Sequence, residues 1–179
     1  MQSASGKSAL ISRRTAIGGA LTALLGSGGR LMAQRAVPDN PFIVLLDGVY
    51  QPVAQIPNLG LSAQNQNDGS YITTNIYRVS GLPGTTNQAV GSFFVSFSNP
   101  HCFYNLPGGA IEMVFTEQNV TFVSDGMGGQ FMEGTFELTI LEATGIYRRF
   151  EGGHNHMVDK LHFLANGSLD EHCFCIISH

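Results

Sequence analysis

Apolar and polar residues alternate one by one over much of the chain, and no other feature limits the fold as strongly. Between residues 131 and 142 the apolar residues take even positions and the polar ones odd positions: Met132, Phe136, Leu138 and Ile140 against Glu133, Thr135, Glu137 and Thr139. Stretches around Phe93 and Leu161 repeat the pattern. Successive side chains of a strand point to opposite faces, so this period of two predicts strands with one buried face each.

Turn signals separate these stretches and indicate the architecture. Glycine-containing turns occur at residues 81–84, 105–109, 125–129, 151–153 and 166–168, and the chain has 22 Gly. The sequence offers no amphipathic helix to cover a sheet, so the apolar faces of the strands must meet one another. We therefore predict an all-β fold, an antiparallel closed barrel of about eight strands, whose interior is filled or holds one small ligand.

The first 36 residues resemble a twin-arginine export signal. Ser12-Arg13-Arg14 precedes a weakly apolar stretch at residues 15–29, although Ala16 stands where an aromatic residue is usual. The resemblance implies a periplasmic or secreted protein with no membrane association after signal cleavage. We expect three segments: the signal at 1–36, an opening strand and a proline-rich loop over the barrel rim at 37–70, and the barrel body at 71–179.

Acidic and basic residues are divided unequally along the chain. Residues 1–36 contain five basic and no acidic residues, whereas the remainder contains four basic and 13 acidic residues, a net charge of −9 with histidine neutral. Such a surface repels phosphate backbones. We therefore expect no nucleic-acid partner.

The three cysteines leave two arrangements open. Cys173 and Cys175 are two residues apart in a predicted strand, so they share a face and are poorly placed to bridge each other. Either Cys102 pairs with one of them, as an oxidising compartment would permit, or all three are reduced and buried.

Residues 131–153 resemble a segment of dirigent and allene-oxide-cyclase-like barrels. A strand runs into Ala143-Thr-Gly-Ile-Tyr147 and then Phe150 and Gly152, where those barrels have Gly-Thr-Gly-x-Phe/Tyr and a later glycine; Ala143 replaces the first glycine. The resemblance implies an eight-stranded antiparallel barrel, often a homo-oligomer (a trimer), with an apolar cavity that promotes ring closure of hydrophobic molecules without a metal or organic cofactor. No catalytic motif of that family is matched here residue by residue.

Asp159 is the leading candidate for a catalytic residue. It shares the alternation of the apolar Leu161 and Phe163, so it is expected to face the barrel interior. Desolvation raises the pKa of such a carboxyl group and prepares it for general acid–base catalysis. A position near the rim, where Asp159 meets solvent or hydrogen-bonds Asn155, is the structural alternative.

Three further residues complete the candidate catalytic set. Glu142 takes an even position, like the apolar residues of its strand, but it lies at the strand end. There it would serve either catalysis or turn capping. Tyr77 and Arg78 are neighbours in a predicted strand at 71–79, and whichever of them faces inward would polarise a carbonyl or stabilise negative charge.

The histidines suggest a metal site as an alternative. His154 and His156 share one face of a predicted strand, and imidazole is a common metal ligand. The parity that turns Asp159 inward turns this pair outward, where a solvated face is the simpler interpretation. His101, in a predicted turn at 99–104, is a candidate acid–base residue at the rim.

Together these patterns predict an exported barrel that binds a small hydrophobic molecule and promotes its cyclisation or isomerisation. Shape and one or two polar groups would suffice, so we expect no cofactor. Two alternatives remain: a non-catalytic binding or structural module of the cell envelope, and a small metal-dependent enzyme that uses His154 and His156.

Overall fold

The computed structural model describes residues 40–66, 68–82 and 91–179, and the predicted signal at 1–36 lies outside them. The described strands are β1 (Phe42–Val49), β2 (Gln51–Pro52), β3 (Ile72–Ser80), β4 (Gly91–Val95), β5 (His101–Leu106), β6 (Gly109–Ser124), β7 (Gln130–Ala143), β8 (His154–Phe163) and β9 (Leu169–Ser178). Two 3-10 helices span Ala63–Gln66 and Gly145–Phe150. Within the described ranges, no helix has the length and apolarity needed to cross a bilayer.

Eight of these strands close into an antiparallel barrel. Neighbours hydrogen-bond in the order β1-β9-β8-β7-β6-β5-β4-β3, and β3 returns to pair with β1. The short β2 only lengthens that seam, because it pairs with the start of β3. The predicted all-β fold, an antiparallel closed barrel of about eight strands, is confirmed.

Alternation along the strands separates the interior from the exterior. In β9 every odd-numbered residue from Leu169 to Ile177 is buried, and in β8 the odd-numbered residues 155–161 are buried. The apolar members of these two sets join Phe93 and Leu138 in one core cluster. Apolar faces of successive strands therefore meet inside the barrel, as the period of two predicts.

The 3-10 helix Gly145–Phe150 seals one end of the barrel. Tyr147 and Phe150 are fully buried, and their rings lie 5.6 and 4.9 Å from the ring of Phe42. Gly145 has φ +60°, and a Cβ there would lie 1.8 Å from the carbonyl oxygen of Gly108. Only glycine allows this close approach, so Gly145 lets the 3-10 helix pack against the barrel end as a plug.

Among the residues that the structure describes, no element covers the opposite end of the barrel. The turn that follows β4 exposes Phe97, Ser98 and Pro100. Strands β6 and β7 continue beyond the barrel as a long hairpin, in which residues 121–124 are exposed. Access to the interior is therefore from this end.

The segment before β3 packs on the outside of the barrel. Ile56, Leu61 and Tyr71 form a second apolar cluster with Phe94 and Phe103, which project outward from β4 and β5. The prediction that residues 37–70 carry a loop over the rim is wrong in this respect. The outer faces of β4 and β5 also carry apolar side chains, which this segment shields from solvent. The alternation of the inward-facing residues does not predict this packing.

The cysteines are free and buried. Cys173 and Cys175 share the inner face of β9, with their Sγ atoms 3.3 Å apart, and Cys102 is also buried. Of the two arrangements left open by the sequence, the structure has the reduced one.

Candidate functional site

A cavity of about 390 Å³ lies inside the open end of the barrel. Its lining is mainly apolar and aromatic, and includes Phe93, Val95, Phe115, Met132, Phe136 and Leu161. The exposed Phe97 and Ser98 also line it, which places its mouth beside the turn after β4. A pocket of this size and lining suits a small hydrophobic molecule.

Two carboxyl groups, from Asp159 and Glu171, line this mainly apolar cavity. Asp159 is 7% exposed and Glu171 is 1% exposed. They lie on adjacent strands, where Asp159 is opposite Cys173 and Glu171 is opposite Leu161. On the two strands that flank the pair, a glycine lies opposite each acid: Gly134 of β7 is opposite Asp159, and Gly48 of β1 is opposite Glu171. At these positions, therefore, no side chain from β7 or β1 covers either carboxylate.

The oxygens of this acid pair lack normal hydrogen-bond partners. Both carboxylate oxygens of Glu171 and Oδ1 of Asp159 are buried without a partner. The Tyr50 hydroxyl faces Glu171 and interacts with its carboxyl group. Buried polar atoms are nearly always paired in native proteins, so this cluster is unusual and marks a candidate site.

Burial changes the protonation of the pair. It raises the pKa of Asp159 from an ordinary 3.8 to about 7, although the backbone N–H of Lys160 and the outward-facing His172 oppose part of this rise. Burial also raises the pKa of Glu171 well above its ordinary value, and the charge of Asp159 raises it further. Burial therefore favours the protonated form of both carboxyl groups.

A chain of polar contacts extends from the acid pair into the closed half of the barrel. The Tyr104 hydroxyl donates to Cys175 Sγ at 3.0 Å, and Asn155 Nδ2 donates to the Tyr104 hydroxyl at 3.1 Å. Cys173 connects Cys175 to the acids, because potential ligand atoms of Asp159, Glu171 and Cys173 lie within 4.8 Å of one another. These contacts fix the inner ends of β5, β8 and β9 around the site.

The same three side chains form the one described group close enough to share a metal ion. A metal needs the deprotonated thiolate, but burial raises the pKa of the Cys173 thiol well above its ordinary value. Without a bound metal, the Cys173 thiol therefore stays protonated beside the two carboxyl groups.

The structure confirms the predicted orientation of Asp159 and adds a residue that the sequence analysis missed. Asp159 faces the interior with Asn155, Met157 and Leu161. Glu171 was not predicted, although the same alternation was available, because it stands between Leu169 and Cys173 on the apolar parity of β9. Applying the period of two to β9 would have found it.

The prediction that Tyr77 or Arg78 faces inward is wrong. In the β1–β3 pairing Leu46 is opposite Ile76 and Leu45 is opposite Arg78, so Tyr77 is the extra residue of a β-bulge. The bulge breaks the alternation, and both Tyr77 and Arg78 are exposed on the outside. Neither residue lines the cavity.

A second bulge turns Glu142 away from the interior. Met113 is opposite Ile140 and Glu112 is opposite Glu142, which leaves Leu141 unpaired. Glu142 therefore faces the outer wall, where its carboxylate accepts a hydrogen bond from the backbone N–H of Ser62 at 2.8 Å. It anchors the outer segment instead of lining the cavity, so its predicted catalytic position is wrong.

The histidines do not converge. His154 is exposed, whereas His156 contacts Glu137 and His162 Nε2 lies 2.9 Å from Asp125, all outside the cavity. The parity prediction that His154 and His156 point outward is confirmed.

Strand β5 begins at His101, so the predicted turn at 99–104 is wrong from residue 101 onward. Its Nδ1 lies 2.8 Å from Glu112 Oε1, and Glu112 projects outward from β6 and is buried. This pair is near the open end but outside the cavity.

The fold and the site together define a closed antiparallel barrel with a buried acid pair in an apolar cavity. No protein family, curated protein or solved structure matches this chain. The cavity and its two carboxyl groups are therefore the features that bear on function.

Proposed function

We propose that this barrel binds a small hydrophobic molecule in its cavity and promotes a proton-transfer isomerisation or ring closure of it. The observation that carries the proposal is the acid pair of Asp159 and Glu171, which is buried, lines the cavity and has Asp159 Oδ1 and both Glu171 oxygens without a hydrogen-bond partner. The resemblance of residues 131–153 to dirigent and allene-oxide-cyclase-like barrels supports ring closure as a reaction class.

The two acids suit different roles. A general base works best when its pKa lies near the working pH, and the pKa of Asp159 is raised to about 7. Glu171 is the more deeply buried of the two, and burial and the charge of Asp159 both favour its protonated form, so it is suited to be the acid. In an isomerisation, Asp159 takes a proton from a carbon of the ligand and Glu171 gives one to another atom of the ligand. The proton then passes from Asp159 to Glu171, and no proton is gained or lost.

Cyclohex-3-enone provides a test, because its conversion to the conjugated isomer requires this exchange and is followed by ultraviolet absorbance. We expect Asp159→Asn and Glu171→Gln to lower the catalysed rate by about 10²-fold or more. Asp170→Asn and Glu117→Gln make the same chemical changes outside the cavity and should leave the rate unchanged. Equal rates for Asp159→Asn and the unaltered protein would remove Asp159 from the proposal.

We also propose that the barrel acts after export through the twin-arginine route. The support is the Ser12-Arg13-Arg14 pattern and the weakly apolar stretch that follows it. Replacing Arg13 and Arg14 with lysine should retain the protein in the cytoplasm of an expressing bacterium, whereas Arg30→Lys should not. Periplasmic recovery of the double variant at the level of the unaltered protein would refute this route.

A further inference from the structure

The acid pair has no counter-charge inside the barrel. Of the residues that the structure describes, none that lines the cavity is lysine, arginine or histidine. Lys160 points outward from β8 to Glu133 at 2.7 Å, and Arg78 is exposed on β3. An ionised carboxylate that is buried without a cation is energetically unfavourable. A positively charged group on a ligand would therefore stabilise the ionised form of either acid.

The cavity wall also favours a cation. Tyr50, Phe93, Phe115 and Phe136 line the same space as the two carboxyl groups. The faces of aromatic rings attract ammonium groups, and this attraction is stronger where water is excluded. An organic cation would therefore find aromatic rings and two carboxyl groups that it can ionise within one pocket.

The charge of the protein body acts in the same direction. Residues after 36 carry a net charge of −9 with histidine neutral. A negative surface raises the local concentration of cations and their rate of entry, while it repels anions. Small anionic ligands such as fatty acids are thus disfavoured twice, at the surface and at the acid pair.

From these observations we infer that the ligand class is a small hydrophobic amine, bound as its ammonium ion between Asp159 and Glu171 with its apolar body against the aromatic wall. This inference rests on the proposed function, because it names the chemistry of the molecule that the cavity would take. A bare metal ion would leave most of a cavity of about 390 Å³ empty. An amine uses the carboxyl groups and the apolar volume together.

Binding of such an ammonium ion has a consequence for proton balance. The ammonium group stabilises the ionised form of the nearest carboxyl group, so ligand entry releases a proton from the pair. The second carboxyl group keeps its proton and remains available as an acid. The inference is thus compatible with the proton-transfer role.

A matched pair of probes tests the ligand class on the full chain. 2-(Naphthalen-2-yl)ethylamine is a cation at pH 8, and 2-(naphthalen-2-yl)ethanol is its neutral analogue of nearly equal shape. The chain contains no Trp, so naphthyl fluorescence reports binding without protein background from indole. We expect the amine to bind at least about tenfold more tightly than the alcohol, as charge-assisted hydrogen bonds require.

Variants assign that preference to the acid pair. The double variant Asp159→Asn with Glu171→Gln should lose the preference for the amine while it still binds the alcohol, which also shows that its cavity has folded. Glu117→Gln, a matched change outside the cavity, should retain the preference.

The other outcomes overturn the inference in distinguishable ways. Equal or tighter binding of the alcohol would refute the amine class but leave the hydrophobic ligand of the proposed function intact. Binding of neither probe would refute both. Calorimetric binding of Zn²⁺ alone to the unaltered protein, without binding of the amine, would show that the site takes an inorganic cation.

Discussion

Replacing Asp159 with asparagine should make the protein more stable, and increasingly so as the pH rises. Asparagine keeps the shape of the side chain but cannot ionise. The pKa of the buried Asp159 is raised from an ordinary 3.8 to about 7, because ionisation inside the apolar cavity is disfavoured. The unfolded chain then loses its proton at lower pH than the folded chain, so proton loss favours unfolding.

The size of the effect follows from the two pKa values. Below pH 3.8 both states are protonated, and Asp159 contributes no pH dependence. Between there and about pH 7 the free energy of unfolding falls by about 1.4 kcal/mol per pH unit, and above that range the loss is complete at about 4 kcal/mol. Asp159 also raises the pKa of Glu171, so its removal relieves part of that second penalty in the same direction.

Urea denaturation from pH 4 to pH 8, followed by far-ultraviolet circular dichroism, measures this effect. The quantity of interest is the free energy of unfolding of Asp159→Asn minus that of the unaltered protein. The contributions of titrating groups that both proteins share cancel in this difference. The groups that face Asp159, namely Tyr50, Glu171 and Cys173, are present in both proteins. The control Glu117→Gln, at an exposed position of β6, should give a nearly constant difference.

A flat difference for Asp159→Asn would refute the reasoning. If the stability gap changes by less than about 1 kcal/mol between pH 4 and pH 8, the carboxyl group titrates as in water. Asp159 would then face solvent, and the acid pair would not have the raised pKa values on which its chemistry depends.

Three further predictions concern the plug, the cavity and the thiols. Gly145→Ala should lower the free energy of unfolding in urea by about 3 kcal/mol or more, because its Cβ would lie 1.8 Å from a carbonyl oxygen. Gly152→Ala, with φ +80° and open space around its Cβ, should lower it by only about 1–2 kcal/mol. Equal losses for the two variants would contradict the plug. Val95→Phe should weaken binding of the naphthyl alcohol at least about tenfold by filling the cavity, while the exposed Val123→Phe should not; unchanged binding would place the ligand elsewhere. A thiol reagent should modify no cysteine in the native protein and all 3 Cys in guanidinium, whereas a single reactive thiol in guanidinium would indicate a disulfide.

The sequence predicted the barrel because alternation is a direct consequence of strand geometry. Wherever the strands are regular, as in β8, parity also gave the correct face, and Asp159 was assigned to the interior on that basis. The failures at Tyr77 and Glu142 have one physical cause. A β-bulge inserts one unpaired residue and reverses the parity beyond it, and the sequence around Ile76 or Leu141 does not indicate where a bulge forms.

Other features required three-dimensional information. Parity gives the face of Glu171, but it does not reveal that two acids on neighbouring strands share one cavity or that they lack partners. The outer cluster of Phe94 and Phe103 with residues 53–71 was equally hidden, since these aromatics lie on the parity expected to meet solvent. Long-range contacts of this kind depend on strand register, which alternation alone does not fix.

The most direct test of the account is the infrared spectrum of the two carboxyl groups. At pH 6 the unaltered protein should show the carbonyl band of a protonated carboxylic acid in a dry environment, absent from the variant with Asp159→Asn and Glu171→Gln. The band should weaken when 2-(naphthalen-2-yl)ethylamine binds and ionises one group. A spectrum at pH 6 that contains only carboxylate bands, identical in the presence and absence of the amine, would contradict the buried acid pair.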